Sequence, residues 1–208
     1  MKTILILGST GKIGSLLTKK LLEKKYFVTA LVRNPNKLTI QSSNLKIIQG
    51  DVSSSKDLGI ALNNVDAVIS VLGHGFRTPF PIQKRTMEVL IPVMEDKKIK
   101  RLITITGSDL LVEGDEYPLY AKLQRKLFSM VDPFRMNDAV NQQKILEKSN
   151  LDWTVIRTPV HSNAKRTQAK ITNKKPYLSQ TIARATVVEF IADCIESPDY
   201  IRKSPIIV

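Results

Sequence analysis

The sequence predicts an α/β fold: one Rossmann-like, doubly wound, mainly parallel sheet with helices on both faces. Three observations lead there. Short apolar runs recur at residues 4–7, 27–32, 45–48, 67–71, 102–105 and 153–156. Amphipathic stretches at helical spacing separate them, and a glycine-spaced turn ends the first run. Runs that are apolar throughout, rather than alternating, suit strands buried on both faces of a parallel sheet. Strand–helix alternation with right-handed crossovers then gives the doubly wound arrangement.

The elements follow in order. Ile13, Leu16, Leu17 and Leu21 form a helical stripe behind the first strand, and Leu58, Ala61 and Leu62 form a shorter one. Met87, Leu90, Ile91 and Met94 make a third, in which Pro92 is expected to kink or break the helix because proline has no N–H to donate. Ala139, Val140, Lys144, Ile145 and Leu146 lie in a fourth helix, and a last one runs from about residue 186 to 196. Residues 107–135 and 158–180 are the least regular. Both follow strands, so both belong at the carboxyl edge of the sheet, where open α/β folds bind ligands. The final residues, 204–208, can add a short strand. Without a repeat, low-complexity tract or linker, the 208 residues read as a single domain.

Composition excludes some classes. With 42% hydrophobic and 25% charged residues, the chain is neither disordered nor fibrous. Its 32 basic and 19 acidic residues give a formal charge of +13. Such an excess can mark a nucleic-acid or anionic-membrane partner. Here the lysines are scattered, without a long basic run or a recognised nucleic-acid module, so neither partner is expected. The single cysteine, Cys194, sits in an apolar helical pattern and reads as a packed thiol. The apolar run at residues 4–7 is too short for a signal peptide, and no run reaches transmembrane length, so a cytoplasmic protein is expected.

The chemistry is concentrated in the first turn. Gly8, Ser9, Thr10, Gly11, Lys12, Ile13 and Gly14 stand between a strand and a helix. A dinucleotide site needs a tight turn at Gly8, close approach of backbone to pyrophosphate at Gly11, and close helix–strand packing at Gly14. The helix N-terminus adds N–H donors and the positive end of a dipole. The second strand ends in Val32-Arg33-Asn34, with Lys37 beyond it and no carboxylate to hold a ribose diol. Arg33 can grip a 2′-phosphate through its planar fork, which points to NADP(H), or it is a surface charge. Asp51, followed by Val52, can accept from the adenine amino group, cap the helix beginning near residues 53–55, or both. Leu72, Gly73 and His74 follow the fourth strand and are expected along the middle of the cofactor.

These residues resemble the atypical short-chain dehydrogenase/reductases, in the NAD(P)H-binding branch that includes biliverdin-IXβ and flavin reductases. The resemblance runs through the glycine turn, residues 28–33, Gly50-Asp51-Val52, residues 66–69, Leu72-Gly73, residues 144–154 and Arg157-Thr158-Pro159. It implies that Thr10, Gly11, Lys12 and Ile13 contact phosphates, and that Arg33, with Lys37, takes the 2′-phosphate. It implies that Asp51 and Val52 flank adenine, and that Leu72, Gly73, Gly107, Ser108, Thr158 and Pro159 surround the nicotinamide. The superfamily's Tyr-x-x-x-Lys acid–base pair is absent: Ala121 stands four residues after Tyr117, and Gln124 four after Tyr120. Where biliverdin- and flavin-type members carry a histidine, this chain has Val160, with His161 one residue later. His161 is either a site-lining residue or a loop histidine. Ser108 is either a polar contact near the nicotinamide or a turn residue. No metal site is expected. The implied activity is NADPH-dependent reduction of a flat conjugated small molecule such as a flavin, quinone or tetrapyrrole. The alternative is a non-catalytic NADP(H) sensor acting through a protein partner.

Overall fold

The computed structural model describes residues 1–73, 80–165, 167–177 and 179–208, with the backbone alone at residue 128. The first half alternates strictly: β1 (Thr3–Leu7), α1 (Lys12–Glu23), β2 (Phe27–Val32), β3 (Leu45–Gln49), α2 (Ser55–Ala61), β4 (Ala67–Ser70), α3 (Ile82–Asp96) and β5 (Arg101–Gly107). A 3-10 turn at Pro35–Lys37 follows β2. Then come α4 (Leu119–Val131), α5 (Pro133–Lys148), β6 (Asp152–Thr158), β7 (Val160–Ser162), β8 (Ile171–Thr172), β9 (Thr181–Ala183), α6 (Arg184–Asp193) and β10 (Ile206–Ile207).

The main sheet has the order β3-β2-β1-β4-β5-β6-β10-β8. Its pairs are parallel apart from β10 with β8 at one rim. A separate parallel pair joins β7 to β9. The alternation of side chains along each strand divides the core. In β1, Leu5 and Leu7 join a cluster with Leu58 of α2, Met87, Leu90 and Met94 of α3, and Leu146 of α5. Ile4 and Ile6 point the other way, onto Leu17 and Leu21 of α1 and Val187 and Ile191 of α6. Each such side chain, buried completely, contributes about 1.5–3 kcal/mol, which is why the central strands are apolar on both faces.

Several expectations change. Pro92 does not end α3, which runs through it. Pro92 and Glu88, four residues earlier, are both exposed, so the helix position left without an N–H donor faces water. Residues 107–135 are largely helical rather than irregular. Helix α4 does carry a helical stripe, Leu119, Leu123, Leu127 and Met130, which the expectation of an irregular segment passes over; the structure turns it outward, with Leu119 82% exposed, Leu123 61% and Met130 65%, while Ala121 faces in. Residues 158–180 hold the short strands β7 and β8. Leu16, placed by the sequence in the α1 stripe, is exposed. The last helix begins at Arg184, earlier than its apolar pattern, and Cys194 is fully buried at its end, its thiol pushed up to about 12 chiefly by burial.

Polar side chains fix the helices to one another. The N-terminus of α3 has no cap of its own. The buried carboxylate of Asp138, on α5, accepts from Gln83 N at 2.8 Å and Lys84 N at 2.7 Å instead. A carboxylate on free helix N–H groups is also favoured by the helix dipole. Arg157 of β6 is 2% exposed and pairs with both oxygens of Asp115, while it donates to Leu110 O at 2.9 Å and Ser204 O at 2.7 Å. One guanidinium thus joins β6, the loop after β5 and the C-terminal segment. Among the described residues no helix is long and apolar enough to cross a membrane.

The glycines give a direct test of packing. A Cβ on Gly14 would lie 2.0 Å from Gly8 O, whereas one on Gly59, inside α2, would meet nothing within 4 Å. Gly14→Ala is expected to cost at least about 3 kcal/mol in denaturant unfolding, because backbone must move. Gly59→Ala should instead stabilise by about 1 kcal/mol through helix propensity alone. Equal effects of the two changes would overturn the account of α1 packing.

Candidate functional site

β1 and β4 lie side by side at the point where the strand order reverses, and β1, β4, β5 and β6 all run parallel and end at the same edge. A crevice at that point is where doubly wound folds take their ligands. The crevice here has a volume of about 430 Å³. Gly11, Lys12 and Ile13 line it from the first turn, Leu72 and Gly73 from the end of β4, Gly107 from β5, and Thr158 and Pro159 from β6. A wider hollow of about 810 Å³ opens away from these strand ends, around Trp153, Glu113 and Arg202. No residue of the glycine turn reaches it, and Arg202 there is bonded to the carbonyls of Ser149 and Leu151.

The first turn is built as the glycine spacing requires. Gly8 has φ +91°, a conformation that costs an L side chain energy. The Gly11 N–H donates to Gly8 O at 3.0 Å and closes the turn. Gly11 is the N-cap of α1, with no side-chain cap and no acid in the first turn, so the helix N-terminus keeps donors and positive potential for a ligand. Gly11 itself has φ −80°, and a Cβ there would meet only Gly8 O at 3.3 Å. The fold therefore demands glycine at 8 and 14, while at 11 glycine leaves space on the cleft side. This cradle fits a pyrophosphate. Ser9 is fully buried, and neither it nor the exposed Thr10 lines the crevice.

Arg33 and Lys37 are exposed beyond the end of β2. Asp51 lies near enough for Arg33 to help hold its carboxyl below the usual range; hydrogen bonds from Ser53 are the larger cause. Asp51 does not cap α2. It accepts from Ser53 N at 2.8 Å and Ser53 Oγ at 2.6 Å as a turn residue, while Ser54 is the N-cap, accepting from Asp57 N. Val52 packs against the core. Ser108 is buried, lies in a small adjoining hollow, and donates its N–H to Thr158 O at 2.8 Å. His74 lies outside the described residues.

The crevice also holds Val160, and with it three residues that the sequence did not single out: Gln83, Arg135 and Arg184. Gln83 is fixed by donating to Ile105 O at 2.9 Å. Arg135 arrives on the first turn of α5, which Asp132 caps and Pro133 opens, a start signal readable in the sequence. His161 joins the crevice, with Nε2 2.8 Å from Thr158 Oγ1. Tyr120, by contrast, donates its hydroxyl to Lys175 O at 2.7 Å and stacks on Tyr177 with centroids 4.2 Å apart.

Burial, then Arg184 and Arg135, bring the His161 pKa down to about 4 from 6.5. Between these values the unfolded chain binds the proton more tightly than the folded one. The stability due to the neutral ring is therefore complete above pH 6.5 and is lost as pH falls toward 4. The thermal midpoint of the protein is expected to fall more between pH 7 and pH 5 than that of His161→Gln. Parallel curves would show that another group titrates.

The chain matches the NAD(P)H-binding family model over residues 8–198. Among solved structures, a short-chain dehydrogenase/reductase from Veillonella parvula DSM 2008 in complex with NADP superposes with a TM-score of 0.79 at 21% identity, over 99% of this chain and 94% of that one. ChuY, an anaerobillin reductase from Escherichia coli O157:H7, superposes with a TM-score of 0.80 at 18% identity, over 100% and 97% of the two chains. At these identities the likeness is one of fold. The photosystem II assembly factor Ycf39 of Cyanophora paradoxa is 23% identical over 159 residues, 74% of this chain and 44% of that protein. The chain spans less than half the length of such curated relatives. With its glycine turn at the switch point of a Rossmann-type sheet, the chain belongs to the NAD(P)H-binding family.

Proposed function

We propose that the protein is an NADPH-dependent reductase acting on a flat, conjugated acceptor of the flavin, quinone or tetrapyrrole kind. The observation that carries this reading is the meeting of the glycine turn with the ends of β4, β5 and β6 in one crevice, without a tyrosine–lysine pair. The uncapped N-terminus of α1 and Lys12 hold the pyrophosphate. Arg33, with Lys37, takes the 2′-phosphate, and Asp51 and Val52 flank the adenine. Leu72, Gly73, Gly107, Thr158 and Pro159 surround the nicotinamide, with Ser108 as a further polar contact. Thr158 and Pro159 are buried, which keeps water from that side. A bound nicotinamide supplies the hydride. The hydroxyl of Tyr120 is committed to Lys175 O, so it is not the acid. A conjugated acceptor spreads the incoming charge and can take its proton from water, which suits a site without a tuned tyrosine.

A second reading is favoured by the exposed apolar ridge of α4, formed by Leu119, Leu123, Leu127 and Met130. It is a non-catalytic NADP(H)-binding regulator that acts through a protein partner, and the assembly factors among the relatives lend it support. NADPH oxidation with a panel of flavins, quinones and tetrapyrroles separates the two. Turnover supports the reductase. Tight NADPH binding with no turnover supports the regulator.

Cofactor contacts are tested by binding. Gly11→Val should weaken NADPH by at least about a hundredfold with the unfolding transition little changed, since φ −80° suits any residue. Charge-assisted contacts of about 1.5–3 kcal/mol give NADPH a roughly ten- to hundredfold advantage over NADH. Arg33→Ala should remove most of it by weakening NADPH alone, and added salt should shrink it in the unmodified protein. Equal affinity for the two cofactors would reduce Arg33 to a surface charge.

A further inference from the structure

Four described ionisable side chains line the crevice: Lys12, Arg135, His161 and Arg184. None of the described lining residues is acidic. His161 is neutral at physiological pH, so the crevice carries three positive charges and no carboxylate to balance them. Lys12 belongs to the glycine turn. The two arginines come from later elements, Arg135 in the first turn of α5 and Arg184 as the first residue of α6.

Both positions run against helix electrostatics. Cations are favoured at helix C-termini and disfavoured at N-termini, where the dipole is already positive. The N-terminus of α6 has neither a side-chain cap nor an acid in its first turn to offset Arg184. The guanidinium of Arg135 has no hydrogen bond or ion pair among the described residues, and its Nη2 lies 3.6 Å from where a Cβ on Gly107 would stand. Among the described residues Arg184 reaches only neutral oxygens, those of the Asn163 side chain and of the His161 carbonyl at 3.3 Å. Other cations are treated differently: Arg157 is paired with Asp115, and in the hollow adjoining the crevice Lys175 is paired with Asp109. Arg135 does have negative charge nearby, in Asp132 capping the same helix and Asp109 Oδ2, 3.8 Å from the same point beside Gly107, but neither pairs with its guanidinium. Two arginines without an ion pair among the described residues, at the ligand edge of the sheet, are a local conflict of the kind that binding sites keep.

We propose that the acceptor is an organic anion, bearing a carboxylate, phosphate or sulfonate group that docks between Arg135 and Arg184. This deepens the reductase reading and rests on it. A guanidinium fork matches the paired oxygens of such a group and fixes orientation as well as affinity. Anchored there, the conjugated part of the acceptor lies over Gly107 and Thr158, and a neutral analogue of the same ring system loses that anchor. No electron or proton transfer is assigned to either arginine; both are positioning residues.

The test is equilibrium binding to the protein saturated with NADP⁺, using pairs that differ in charge: FMN against riboflavin, and biliverdin against its dimethyl ester. The charged member should bind about tenfold or more tightly in at least one pair. Arg135→Gln and Arg184→Gln should each narrow that gap severalfold, with the neutral member and NADP⁺ binding as before. Unchanged NADP⁺ affinity also shows that the variants are folded. Several results overturn the proposal: no preference for the charged member in either pair, a preference that survives in the double variant, or a loss of NADP⁺ affinity that assigns the arginines to the cofactor. Because binding is the readout, absence of turnover counts against the reductase reading alone.

Discussion

A carbon atom on residue 14 would stand 2.0 Å from the carbonyl oxygen of Gly8. Helix α1 can therefore rest on the end of β1 only while both positions are glycine and the turn between them keeps its left-handed start. Much of the molecule is organised by that contact. It brings the N-terminus of α1 to the place where the strand order reverses. It seats Leu17 and Leu21 against Ile4 and Ile6. It also leaves the first-turn donors of α1 without a protein cap. One steric constraint thus serves packing and binding together.

The molecule deals with charge in two ways. Away from the crevice, Asp138 is satisfied by the first N–H groups of α3, and Arg157 by Asp115. Such groups add little net stability when paired, but removing one partner leaves the other buried and unsolvated. They hold α3 to α5, and β6 to the loop after β5. At the crevice the balance is left open: none of its described lining residues is acidic, and Arg184 bonds to the Asn163 side chain and the His161 carbonyl. The ordered surroundings supply the rigidity against which unbalanced charge can be maintained.

The central strands were legible in the sequence because burial on both faces leaves a local mark, an apolar run. The glycine turn was legible because steric limits act on single residues at fixed spacing. Helix α4 was legible too, through Leu119, Leu123, Leu127 and Met130 at helical spacing, and was passed over; only its outward facing is decided by the tertiary structure. Asp51 and Ser54 compete for one cap within four positions, and only the backbone path decides for Ser54. Arg135 and Arg184 escaped notice for a different reason. Nothing near them in the sequence marks them, and they meet only after α5 and α6 have packed on opposite faces. The start signal at Asp132-Pro133 locates the helix but not the crevice its first turn borders.

The rims of the sheet have a consequence of their own. A parallel sheet with an open edge presents unpaired N–H and C=O groups to any other extended chain, which invites edge-to-edge growth. Here one rim is β8, two residues long and reversed in direction relative to β10. The other is β3, whose exposed Lys46 would have to lose water beside an incoming strand. Neither edge offers a long, flat, apolar template. The sheet can keep its apolar middle strands and still resist lateral recruitment of unfolded copies, so the fold carries its own guard against fibrillar assembly.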